Sequence, residues 1–133
     1  MLDDEAVEVD VEGEHNWVLA CDLDELVRSH PPRAARLLPA FDPWVAGSSR
    51  GCAALLDPAH AARVHRLQGW ISATLLVDGR IVGVWKHTRK GRRLQLELEP
   101  FETLPAWARG QLEAEAERLA AFLGGELMVH WKA

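Results

Sequence analysis

A chain of 133 residues with 48% hydrophobic and 26% charged residues suits one globular domain that buries about two-thirds of its unfolded surface, which excludes a disordered chain. The formal net charge of −5 excludes a molecule drawn to polyanions by total charge, so only a local basic patch leaves that option open. Cys21 and Cys52 without a secretory leader point to a reduced, cytoplasmic protein, and no apolar run approaches the roughly 20 residues of a membrane span.

Residues 1–5 are polar and are expected to be disordered. Val7, Val9 and Val11 alternate with Glu8, Asp10 and Glu12, the period of a half-buried strand. Gly13 to Asn16 then reads as a turn and Trp17 to Ala20 as the returning strand. Asp22 and Glu25 match an acidic capping box opening a short helix, which His30-Pro31-Pro32 stops. A short strand is expected over Arg36–Pro39, then a turn or single helical turn at Phe41-Asp42-Pro43-Trp44-Val45 and a mobile loop over Gly47–Gly51.

Asp57-Pro58 supplies a helix cap and a first-turn proline, for a helix running to His65. Trp70 to Val77 reads as a strand, and Asp78-Gly79 is the strongest hairpin signal in the chain, because a type I′ turn needs two positive φ angles. Ile81 to Thr88 returns, a second turn centres on Lys90-Gly91, and Leu94 to Glu99 alternates again. The longest helix starts after Thr103 and Pro105. It carries Leu112, Ala116, Leu119 and Leu123 at helical spacing with Phe122 beside them, and ends at Gly124-Gly125. Glu126 to Lys132 is a last strand. The expected fold is therefore α+β. A curled or barrel-like antiparallel sheet, built from a hairpin, a three-stranded meander and a C-terminal strand, is covered by one long and two short helices, all in one domain spanning residues 1–133.

The chemistry concentrates in one place. Lys86, His87, Arg89, Lys90, Arg92 and Arg93 crowd a hairpin turn, while seven acidic residues from Asp3 to Glu14 load the N-terminus. Cations on a protruding turn suit phosphate oxygens; they equally suit protection of a sheet edge from aggregation. The six tryptophans, against no tyrosine, read as core or interface residues. In the expected register Trp70 lies near His87 and diagonal to Trp85. Stacking of a base on a tryptophan beside the basic turn is a lesser alternative. His60 and His65 are five apart and share no helix face, so neither metal nor cofactor is expected. No nucleophile elbow or phosphate-binding glycine loop is legible, so no catalytic residue is assigned.

The segments Arg36 to Pro43, with Phe41-Asp42-Pro43, Gly69-Trp70-Ile71-Ser72, and Val77-Asp78-Gly79-Arg80-Ile81-Val82-Gly83-Val84-Trp85 resemble, in order, the C-terminal region of winged-helix DNA-binding proteins. That family includes the crosslink-repair DNA glycosylases of the AlkZ/YcaQ type. The resemblance implies a C-terminal β-barrel-like domain, a DNA-related context, and structural roles for Phe41, Asp42, Pro43, Trp70, Asp78, Gly79, Gly83 and Trp85. It places excision on a glutamine motif in the family's N-terminal part; Gln95-Leu96-Glu97 is a coincidental likeness in a strand. The expectation is a non-catalytic DNA-binding accessory domain, or a stand-alone truncated relative, with DNA as a weak phosphate-mediated partner. The alternative is a scaffold module that docks on winged-helix domains or homodimerises. No membrane partner is expected.

Overall fold

The computed structural model describes residues 5–31, 33–48 and 50–132. The chain divides into two compact units, Met1–Pro32 and Arg33–Ala133. The disorder expected over residues 1–5 falls outside the described residues except at Glu5, whose carbonyl accepts the Ala20 amide at 2.7 Å. Ser49 of the expected Gly47–Gly51 loop also lies outside them.

The first unit is the expected hairpin, with a tighter turn. Strands β1 (Ala6–Val11) and β2 (Glu14–Leu19) pair antiparallel from Ala6↔Leu19 to Val11↔Glu14. Only Glu12 and Gly13 lie between them, both left-handed at φ 53° and 89°, as a type I′ turn requires. Helix α1 (Leu23–Arg28) follows a 3₁₀ turn over Ala20–Asp22. That turn puts Asp22 in helical geometry, so its carboxylate does not cap the helix and the expected capping box does not form.

The second unit holds five strands in the order β3 (Ala35–Leu38), β4 (Thr74–Val77), β5 (Arg80–Lys90), β6 (Arg93–Pro100) and β7 (Glu126–Trp131). The sheet is α+β in its setting and antiparallel except at one pair. It is also open, with β3 and β7 at its edges, so the expected barrel closure is absent among the described residues. The exception has a topological cause. Helix α4 (Ala106–Leu123) carries the chain back along the sheet after β6, so β7 starts beside Arg93 and runs parallel to β6.

Asp78 and Gly79, at φ 48° and 80°, form the anticipated β4–β5 turn, which pairs Val77 with Arg80. Asp78 also fixes the entry to β3: its Oδ1 accepts the Ala34 amide at 2.9 Å, and its own amide donates to the Ala34 carbonyl at 2.8 Å. The register slips between Leu75 and Leu76, so Leu75 faces Gly83. A Cβ at Gly83 would lie 2.6 Å from the Glu99 carbonyl oxygen and 2.8 Å from Leu75 Cδ1. Only glycine permits that approach.

Two apolar layers cover the sheet. On one face Leu75, Leu94, Leu96 and Leu98 pack against Ala108, Leu112, Ala116 and Ala120 of α4. Truncating one such leucine costs about 2–5 kcal/mol. Phe122, expected beside this stripe, is exposed because its position on α4 turns away from the buried row. The second layer gathers Val45, Leu56, Val64 and Ile81, with Leu38, Leu76 and Phe101 against them. It rests on α2 (Pro43–Ser48) and α3 (Ala61–Val64). The helix expected from Asp57 to His65 is split: a 3₁₀ turn over Pro58–His60, capped by Asp57 Oδ1 on the Ala59 amide at 2.8 Å, precedes α3.

Candidate nucleic-acid interface

Strand β5 spans 11 residues and β4 only 4. β4 starts at Thr74 opposite Val84, so the segment of β5 from Trp85 to Lys90 extends beyond that end of β4, by about 20 Å at strand rise. β6 and β7 flank that extension on its other side, out to Arg93↔Glu126. The ribbon closes at Gly91 (φ 59°) and Arg92, with Lys90 directly opposite Arg93. The Glu126 amide donates to the Arg92 carbonyl at 2.7 Å and ties the turn to β7. The basic residues thus stand on a supported turn.

The six sequence-predicted residues separate by role. Arg89 shares a face with Leu94 and turns toward α4. Its Nη1 donates to the Leu123 carbonyl at 2.9 Å, its Nη2 to the Gly124 carbonyl at 2.7 Å and its Nε to the Gly91 carbonyl at 3.2 Å. A cation on the last carbonyls of a helix satisfies groups the helix cannot, so Arg89 locks the turn to α4. Lys86 Nζ lies 3.0 Å from Glu97 Oε2, which lies equally far from Lys132 Nζ. His87 is exposed, its ring 5.9 Å from that of Trp85. Lys90, Arg92 and Arg93 are exposed at the turn itself. Like charges directly opposite each other, as at Lys90 and Arg93, cost folding energy. Glu126 stands beside Arg93 in the β6–β7 register and offsets part of that field.

Asp42 Oδ1 accepts the amides of Trp44 at 2.9 Å and Val45 at 3.2 Å, the N-cap of α2, with Pro43 at its first position. This seats the fully buried Val45 in the second layer. Trp85 Nε1 donates to the Leu38 carbonyl at 2.8 Å. The structure does not place Trp70 on the strand beside Trp85. β4 begins only at Thr74, since Gln68 and Gly69 are left-handed and an isolated bridge joins His65 to Ile71. Trp70 instead meets Phe41 edge to face, with ring centroids 4.8 Å apart.

Sequence reasoning missed one further grouping. Arg63, Arg66, Ser72, Lys86, Glu97 and Glu99 line a shallow cavity of about 290 Å³. Arg63 Nη2 donates to Glu99 Oε1 at 2.6 Å and lies over the Phe101 ring. The hydrogen bonds from Lys132 and Lys86 hold the Glu97 carboxyl below its ordinary range, and Glu97 in turn raises Lys132. Burial, then the charge of Arg50, lowers His65. Among the described residues no cluster of His, Cys, Asp or Glu is placed to hold a metal ion, and no helix is long and apolar enough to cross a membrane. Gln95-Leu96-Glu97 lies mid-strand with Leu96 in the core.

A family model described as DNA glycosylase AlkZ-like matches residues 1–122. An interstrand DNA cross-link repair glycosylase of Streptomyces sahachiroi is 37% identical over 126 residues, covering 92% of this chain and 32% of its own length. The solved structure of S. sahachiroi DNA glycosylase AlkZ superposes with a TM-score of 0.83 at 36% identity, over 98% of this chain and 34% of that one. The chain thus spans about a third of the relatives it matches.

Proposed function

The chain belongs to the DNA glycosylase AlkZ-like family, and from that premise we propose that it is a non-catalytic DNA-contacting module gripping phosphates at its β5–β6 turn. The observation that carries this reading is the turn itself. Lys90, Arg92 and Arg93 are concentrated on a support fixed by Arg89 to the end of α4 and by Glu126 to Arg92. Anions bridging Lys90 and Arg93 would relieve the repulsion the fold builds in. Lys86 belongs to the sheet more than to this grip, because Glu97 already neutralises it. His87 flanks the turn without sharing in its hydrogen bonds to α4.

The lack of an assigned catalytic group follows the same accounting. Of the two acids in the cavity, Glu97 lies between two ammonium groups and Glu99 is paired with Arg63. Neither carboxylate is assigned a part in the glycosylase activity that the relatives' names carry.

Fluorescence anisotropy on a short duplex tests the reading. Three phosphate contacts give a slope of log affinity against log salt of about −2.7. The combined reversal Lys90→Glu, Arg92→Glu and Arg93→Glu is expected to bring binding at low salt below detection. Unchanged affinity in that variant, or no binding by the parent chain at low salt, would remove the DNA role.

A further inference from the structure

We infer that Phe41 and Trp70 form a shelf on which an unpaired nucleobase stacks. The inference rests on the DNA reading above and adds what part of DNA the second surface takes. Phe41 is 49% exposed, Trp70 51% and Leu67, at the adjoining bend, 91%. Phe41 and Trp70 are left this open although their rings meet, and adjoining exposed rings mark a contact surface. The backbone is held uphill to present them: Phe41 (φ 58°) and Gln68 (φ 61°) are both left-handed without being glycine, a departure that is pronounced for a bulky ring. The Phe41 amide donates to the Ile71 carbonyl at 3.3 Å, and the Arg66 and Trp70 backbones are joined at 2.8 Å. Ring and bend are therefore fixed together.

An edge-to-face pair at 73° uses one edge and one face, which leaves ring area for a third flat π-system. Charge selects its kind. Arg66, next to Trp70 through that backbone bond, lines the same cavity as Arg63, Ser72 and Lys86. The two acids there are occupied, Glu99 by Arg63 and Glu97 by Lys86 and Lys132. Register supplies the direction. Thr74 opens β4 opposite Val84, and the Trp85 amide donates to the Ala73 carbonyl at 3.0 Å. Ala73 thus stands level with Trp85, where the extension of β5 toward Lys90 begins. A flat, neutral group joined to phosphates, which is a base on a DNA strand, fits both the shelf and the cationic Arg66 joined to Trp70 by its backbone.

Anisotropy with two labelled duplexes tests this, one intact and one carrying a short run of unpaired thymines, at low salt. The gapped duplex is expected to bind about tenfold more tightly, within the range that base–aromatic stacking supplies. Trp70→Ala is expected to abolish that preference while leaving intact-duplex affinity unchanged, and Trp70→Phe to restore most of it. If Trp70→Ala unfolds by circular dichroism, Phe41→Leu serves instead, keeping an apolar contact while removing the ring, and is expected to cut the preference severalfold. Equal affinity for both duplexes, or equal loss on both in Trp70→Ala, overturns the shelf while the turn reading stands. A Trp70→Ala variant that changes sedimentation of the free protein and not the preference assigns these rings to protein contact and overturns it too. Absence of any DNA binding defeats both readings.

Discussion

Arg89 shows how a single residue changes meaning once its partners are known. In sequence it is one of six groups at a basic turn; in the fold its guanidinium reaches three carbonyls, two of them 34 and 35 residues away. Arg89→Ala is expected to lower the melting temperature by about 3–5 °C, the effect of roughly 1 kcal/mol in a chain of this size. Its loss of DNA affinity should be smaller than that of the triple reversal at Lys90, Arg92 and Arg93. Gly83→Ala should cost about 1–3 kcal/mol in chemical denaturation, since the new methyl group meets the Glu99 carbonyl and Pro100 Cα. Asp78-Gly79 was legible because a two-residue turn is encoded by its own residues. The carbonyl partners of Arg89 were not, because no local pattern records a contact across that separation.

Among the elements, those set by period and by turn chemistry were readable: the alternating strands, the α4 stripe of Leu112 and Ala116, and the glycine-ended helix. What sequence could not reveal depended on where an element arrives. β7 has the same alternation whether parallel or antiparallel, and only the return path of α4 decides. Trp70 sits in a stretch of strand-like composition, yet left-handed Gln68 and Gly69 turn the chain before the ladder begins. Lys86 on β5, Glu97 on β6 and Lys132 just beyond β7 staple three strands together. Because the folded Glu97 carboxyl lies below its ordinary value of 4.5, its contribution is present above that value and is lost as pH falls through the lowered one. Glu97→Gln should therefore melt below the parent chain at pH 7, and thermal scans should show the gap closing as the pH drops under 4.5.

For the whole molecule, the contest is between a net charge of −5 and a turn where cations outnumber acids. The total field disfavours DNA at long range, so the proposed contact would rely on short-range pairing at the turn and is expected to be strongly weakened by salt. Family membership sets the context, and the chain spans about a third of the relatives it matches. The same architecture separates the proposed grip from stability: Lys90, Arg92 and Arg93 are exposed, whereas Leu94, Leu96 and Leu98 beside them are buried. The most direct measurement is an amide ¹H–¹⁵N titration of the intact chain with a short duplex at low salt. Amides of residues 88–93 should shift first and furthest, in proportion to bound DNA. Stationary resonances there, with shifts gathered elsewhere in the chain, would contradict the account.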